Sequence, residues 1–219
     1  MGESTKMKEL DAALEALPVF PLPQVVLFPQ AILPLHVFEP RYRAMLRDCV
    51  ATHGAMAVAL LLGSSREGQL PPIATVAGVG IVIEHQPLAD GRSNILLHGR
   101  ARVRLEELPF VPPYRRARAT ILEELPERVS HADRAALLAC ADAFAAEVRH
   151  KNPEFSFRIP PNLEPGVLCD YCAHHLVVDT VLRQRLLEEL SPAERVRMVT
   201  TELASQHSAL LRESGSCLH

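Results

Sequence analysis

Hydrophobic and polar residues alternate from Asn94 to Leu105, with Leu96 the one apolar residue among the polar positions. Ile95, Leu97, Gly99, Ala101, Val103 and Leu105 take one parity; Asn94, Leu96, His98, Arg100, Arg102 and Arg104 take the other. A period of two predicts a strand with one face on a core and three arginines on the other. A continuous apolar run at 56–62 and a mostly apolar stretch at 73–86 precede it, and both predict strands, the second with Val79, Ile81 and Ile83 on one face. Asp90-Gly91 between the second run and the alternating strand is a hairpin signal. A further strand is predicted at about 115–123, after Pro112-Pro113. Residues 17–40 are cut by prolines 18, 21, 23, 29, 34 and 40 into short extended pieces, which suits edge or looping strands. Pro40 then opens a helix, because a missing N–H is harmless in the first turn. Tyr42, Met45, Leu46, Cys49 and Val50 form its apolar stripe, and Arg41, Arg43 and Arg47 fall outside that stripe.

The period changes after residue 125. Leu137, Ala141, Phe144, Ala145 and Val148 recur at helical spacing behind Ser130, a suitable N-cap. Residues 151–163 form a Pro-rich loop. Pro165 starts a second helix with Leu168, Tyr171, Cys172, His175 and Leu176 on one side. Asp179 caps a third, with Val178, Leu182, Leu186 and Leu190 every four residues. Ser191-Pro192-Ala193-Glu194 is a capping box that opens a last helix to about 212. Leu10, Leu14 and Leu17 share helical spacing near the start of the chain. The expectation is an α+β chain in three parts: an N-terminal helix or arm at 1–16, a β-rich lobe at 17–125 and a helical-bundle lobe at 126–219.

Composition narrows the class. Of 219 residues, 48% are hydrophobic and 22% charged, which suits a folded globular chain rather than a disordered one. The net charge of −3 argues against general coating of nucleic acid. No apolar stretch follows a basic start at the N-terminus, so no secretory signal is read. The longest apolar run, Ala55 to Leu62, is far below the roughly 20 residues that span a bilayer. Five cysteines, scattered at 49, 140, 169, 172 and 217, make no disulfide framework and suit a reducing cytoplasm.

Three local patterns carry a resemblance. The first is Leu17-Pro18-Val19-Phe20-Pro21-Leu22, Val25-Val26-Leu27-Phe28-Pro29, Leu33-Pro34-Leu35 and Phe38-Glu39-Pro40-Arg41-Tyr42-Arg43. The second is Asp90-Gly91 followed by Leu97-His98-Gly99-Arg100-Ala101-Arg102-Val103. The third is Glu164-Pro165-Gly166-Val167-Leu168-Cys169-Asp170 with the trailing Leu186-Leu187-Glu188-Glu189-Leu190-Ser191. In this order, over roughly 17–212, they resemble the amino-terminal substrate-binding domain of Lon proteases, and the first looks most like free-standing members. The resemblance implies a PUA-like pseudo-barrel lobe followed by a helical lobe. It also implies a role in engaging unfolded or damaged polypeptide. The sequence contains no Gly-x-x-x-x-Gly-Lys-Ser/Thr phosphate cradle and no Lys after Lys151. The expectation is therefore a non-enzymatic, cytoplasmic binder without cofactor, metal or membrane partner, linked to a protease or chaperone.

Other chemistry is weighed against that role. Cys169-x-x-Cys172, with His174 and His175 nearby, lacks the second ligand cluster of a structural zinc site, and Cys169 lies about a turn inside its helix rather than at the N-terminus that activates a redox thiol. Packing is the expected role. Ser64-Ser65 lie in a glycine-flanked loop without a nucleophile elbow. Gly78-x-Gly80 lacks the third glycine and helix of a dinucleotide fingerprint, so close strand packing is expected. Residues 92–118 hold seven arginines and two acids, a local balance of +5 that leaves −8 elsewhere. Arg100, Arg102 and Arg104 are expected on a solvated sheet face or paired with acids such as Glu123 and Glu124. The alternative is an RNA-binding strip, for which nearby stacking aromatics are limited to Phe110 and Tyr114. For polypeptide binding the candidates are Phe20, Phe28, Phe38 and Tyr42, beside Pro-chopped edges where an extended client adds as a strand.

Overall fold

Strand β5 (Ser93–Glu107) organises the β-rich part because it is too long for one pair of neighbours. It pairs along its length with β4 (Val76–Pro87). On its other side, residues 93–98 pair with β2 (Ile32–Val37) and residues 102–107 with β6 (Arg115–Leu122). β4 continues to β3 (Ala55–Leu60), which runs parallel to β1 (Leu17–Leu22), and β1 pairs with β6. The order β5-β4-β3-β1-β6 thus returns to β5 and closes a five-stranded barrel, with β2 laid outside it on β5. This computed structural model describes residues 12–64 and 70–216, and side chains only to residue 212. Most of the predicted arm, Ser65 and Cys217 therefore lie outside the described residues. The chain divides into two compact units, Met1–Glu123 and Glu124–His219.

Small side chains set the bore of the barrel. Ala55, Ala57, Ala59, Ala77, Ala117 and Ala119 fill it together with Leu17, Val19, Val79, Val103 and Leu105. Five strands leave little interior volume, so alanine at alternate positions is what allows closure. The opposite parity of the same strands, with Phe20, Met56 and Val58, packs under helix α1 (Pro40–Ala51) through Tyr42, Met45, Leu46 and Cys49. Val50, predicted on that stripe, is instead 46% exposed.

Two expectations about strands are corrected. Residues 95–105 do not share one face. The β4–β5 register steps from Val79↔Ala101 to Gly80↔Gly99, so Arg100 is an extra residue that reverses the parity of the strand. Ile95 and Leu97 consequently lie under α1, whereas Val103 and Leu105 point into the barrel. A second irregularity, at Ile83, turns that side chain outward to 46% exposure. Nor is β1 an edge strand. It pairs with β6 over residues 17–19 and with β3 over 19–22, so the two ladders overlap only at Val19 and each proline faces one ladder. β2, with Pro34, is an edge as expected.

The glycines of the barrel allow the loop before β2 to lie on the sheet. A Cβ on Gly78 would stand 2.0 Å from the Leu27 carbonyl oxygen, and one on Gly99 would stand 2.1 Å from that of Phe28. Close packing is therefore the role of Gly78.

The second unit contains α2 (His131–Lys151), α3 (Pro165–Leu176), α4 (Thr180–Glu188) and α5 (Pro192–Ser216). The side chains of Ser130, Asp179 and Ser191 accept hydrogen bonds from the backbone N–H of Asp133, Leu182 and Glu194 at 3.0, 2.7 and 3.1 Å. Leu137, Phe144, Leu168, Leu186, Val199 and Leu203 supply much of the core. Val178, predicted to join it, is 79% exposed because it precedes the first turn of α4. Within this core Arg195 is fully buried, with its Nε 3.6 Å from the Asp170 carboxylate and its Nη2 donating to Glu124.

Candidate functional site

The C-terminal end of β1, the start of α1, residues 61 and 70–71, and residues 110–115 surround a cavity of about 140 Å³. Its wall is rich in apolar and proline side chains, including Pro21, Leu22, Leu61, Leu70, Pro71 and Phe110. Phe110 and Leu70 are 47% and 40% exposed, and Val111 next to Phe110 and Leu62 next to the lining residue Leu61 are 72% and 58% exposed. Proline explains why these residues are open. Pro109, Pro112 and Pro113 flank Phe110-Val111, so this segment cannot join the ladder between β5 and β6 and leaves its apolar side chains outside the core.

Polar contacts hold the wall in place. Arg115, almost wholly buried at the start of β6, donates through Nη1 to Glu107 Oε2 at 2.9 Å and through Nη2 to the Pro71 carbonyl, fixing the loop that carries Leu70. The Tyr114 hydroxyl donates to Asp48 Oδ2 at 2.6 Å and accepts from Arg116 Nη2 at 2.8 Å. Burial, reinforced by the Asp48 hydrogen bond, raises the Tyr114 pKa, so the phenol remains a neutral donor. Tyr42 lines the cavity with its ring 4.4 Å from Phe20 (centroid to centroid) and beneath the Arg41 guanidinium, which Glu39 binds at 2.8 Å. Burial also raises the Tyr42 pKa.

The residues expected from sequence are dispersed. Phe20 and Tyr42 come together, but as packed core at 5% and 7% exposure. Phe28 has no accessible surface and belongs to the core under the β2 approach. Phe38 alone is open, at 57%, just past β2 and stacked on His36 with ring centroids 6.0 Å apart. The arginine strip is not a continuous solvated face. Arg104 is exposed, Arg100 is the half-buried bulge residue, and Arg102, on the same face as Arg104, is buried at 3%. Sequence reasoning missed Leu70 and Arg115, and offered Phe110 only as a stacking partner in the RNA alternative. An apolar pair bounded by prolines at 109, 112 and 113 was the available signal.

Nucleophile and metal chemistry find little support in the second unit. Cys169 and Cys172 are fully buried, and burial pushes the Cys172 thiol up to about 12, which disfavours the thiolate. Among the described residues no group of three or more His, Cys, Asp or Glu side chains is placed to hold a metal ion. No helix among them is long and apolar enough to cross a membrane.

Comparison with known proteins gives a consistent picture. Residues 16–205 match the family model described as the ATP-dependent protease La (LON) substrate-binding domain. A Lon protease of Roseiflexus castenholzii is 30% identical over 200 residues, covering 90% of this chain and 25% of that protein. Lon protease 2 of Bdellovibrio bacteriovorus is 24% identical over 205 residues, covering 91% and 26%. The chain thus spans about a quarter of the length of these relatives. Among solved structures, a Lon N-terminal domain protein from Xanthomonas campestris superposes with a TM-score of 0.62 at 21% identity, covering 85% of this chain and 97% of that one. The N-terminal domain of a Mycobacterium avium complex Lon protease gives 0.62 at 14% identity.

Proposed function

Because the chain belongs to the Lon substrate-binding domain family, we propose that it is a non-catalytic cytoplasmic protein that binds exposed apolar segments of unfolded polypeptides and presents them to a protease or chaperone. The observation that carries this reading is the proline-walled cavity with Phe110 and Leu70 open beside it. A cavity of roughly 150 Å³ admits a benzene-sized group, so this one suits a single aromatic or branched side chain of a client. Burying such a side chain contributes about 1.5–3 kcal/mol. A client that must also become ordered is therefore held weakly at one position, and affinity grows only when several segments engage. β2 offers a free sheet edge with Phe38 just past its end, where an extended client adds backbone hydrogen bonds. The arginine strip is a weaker basis for RNA binding, since only Arg104 of the three is exposed.

The chain contains no Trp, so a Phe110→Trp variant reports from the cavity mouth alone. Titration with an unfolded, Trp-free client shifts its emission to the blue, whereas the same client in its native state leaves it unchanged. In a dye-labelled client assay, Phe110→Ala with Leu70→Ala weakens binding by about tenfold, the loss of one buried apolar contact. The affinity holds or rises with added salt, as apolar burial requires. Equal binding of native and unfolded clients overturns the reading.

A further inference from the structure

A second groove in the barrel unit, about 420 Å³, runs between α1 and the β4–β5 hairpin. Three arginines line it. Arg43 and Arg47 stand one turn apart on α1, and Arg92 comes from the hairpin. Among the described residues no carboxylate lines the groove. Arg92 is held by Asp90 at 2.5 Å, but among the described residues no hydrogen bond or ion pair engages the guanidinium of Arg43 or Arg47. Arg43 is placed by the hairpin tip: a Cβ on Gly91 would stand 2.0 Å from Arg43 Nη2, and Gly91 adopts a φ of +79°. Between the cations the wall is apolar, formed by Leu46, Val50 and Pro87. Cationic side chains that share one groove gain from a counter-charge placed in it.

We infer that this groove takes an acidic peptide segment, with a carboxylate against Arg43 and Arg47 and a neighbouring apolar side chain against Leu46 and Val50. The inference rests on the reading of the chain as a polypeptide binder and names a class of segment it selects. Charge complementarity selects the carboxylate, and the apolar wall selects the companion residue. A nucleic acid fits less well, because among the described residues the one ring lining the groove is His85, whose Nε2 is hydrogen-bonded to Ser93 Oγ at 3.1 Å, and no Phe or Tyr lines it to stack a base.

The test is fluorescence anisotropy on the whole chain with a short labelled peptide alternating Asp and Leu, against its Asn and Leu counterpart. The acidic peptide binds about tenfold more tightly, and the margin narrows as salt is added. Arg43→Gln with Arg47→Gln abolishes the margin and leaves the Asn peptide unchanged. Arg118→Gln, an exposed arginine paired with Glu15 outside the groove, leaves both peptides unchanged. Equal affinities, failure of both peptides to bind, a margin that survives the double substitution, or displacement of the acidic peptide by a single-stranded oligoribonucleotide at lower concentration each overturns the inference. An acid preference retained while the apolar unfolded client fails to bind overturns the preceding reading alone.

Discussion

His174 lies on α3 with its Nδ1 buried and without a hydrogen-bond partner. Burial lowers its pKa from 6.5 to about 4, aided by the nearby His175 ring and the Arg183 guanidinium. Between those two values the unfolded chain takes up a proton that the folded chain refuses, so stability falls as the pH drops through this window. The loss by about pH 4 is on the order of 2–3 kcal/mol. Thermal melts followed by circular dichroism at about pH 7 and about pH 4.5 measure it, and His174→Gln shrinks the difference between the two conditions. Arg195 poses the opposite problem. Its side chain is fully buried, and Asp170 and Glu124 supply its charge partners. Arg195→Leu leaves the buried Asp170 carboxylate without that cation and destabilises the chain by about 3–5 kcal/mol, whereas Arg195→Leu combined with Asp170→Leu recovers much of the loss. Urea midpoints of the two variants measure the recovery; equal midpoints show that the pair does not act as a unit.

At the scale of elements, the contact between the loop before β2 and the sheet is the least forgiving. Gly78→Ala drives a methyl group onto the Leu27 carbonyl, and backbone cannot step aside as a flexible side chain can. The expected cost is about 1–3 kcal/mol, read as a lower urea midpoint with an unchanged slope. Elements whose signals are local were legible in the sequence. The caps Ser130, Asp179 and Ser191 set the starts of α2, α4 and α5, and Pro40 and Pro165 set those of α1 and α3. The bulge at Arg100 was not legible, because nothing adjacent in sequence demands it. It reconciles two demands on β5, to cover α1 with its first half and to fill the barrel with its second. The alternation from Asn94 to Leu105 gave the strand its extent but could not reveal that both of its faces are buried in turn.

For the whole molecule, α+β organisation followed from the change of hydrophobic period near residue 125. The candidate cavity did not, because its wall comes from four separated stretches that only barrel closure brings together. The aromatic residues most visible in the sequence, Phe20 and Phe28, went to the core, as a chain with few aromatics requires. Barrel closure also bears on how the protein is made. Leu17 pairs with Ala117, and β6 seals the ring against β1 and β5 together. A nascent chain emerging from the ribosome therefore carries two bare strand borders until residue 122 has cleared the exit tunnel, and it is itself a sticky chain for most of its own synthesis.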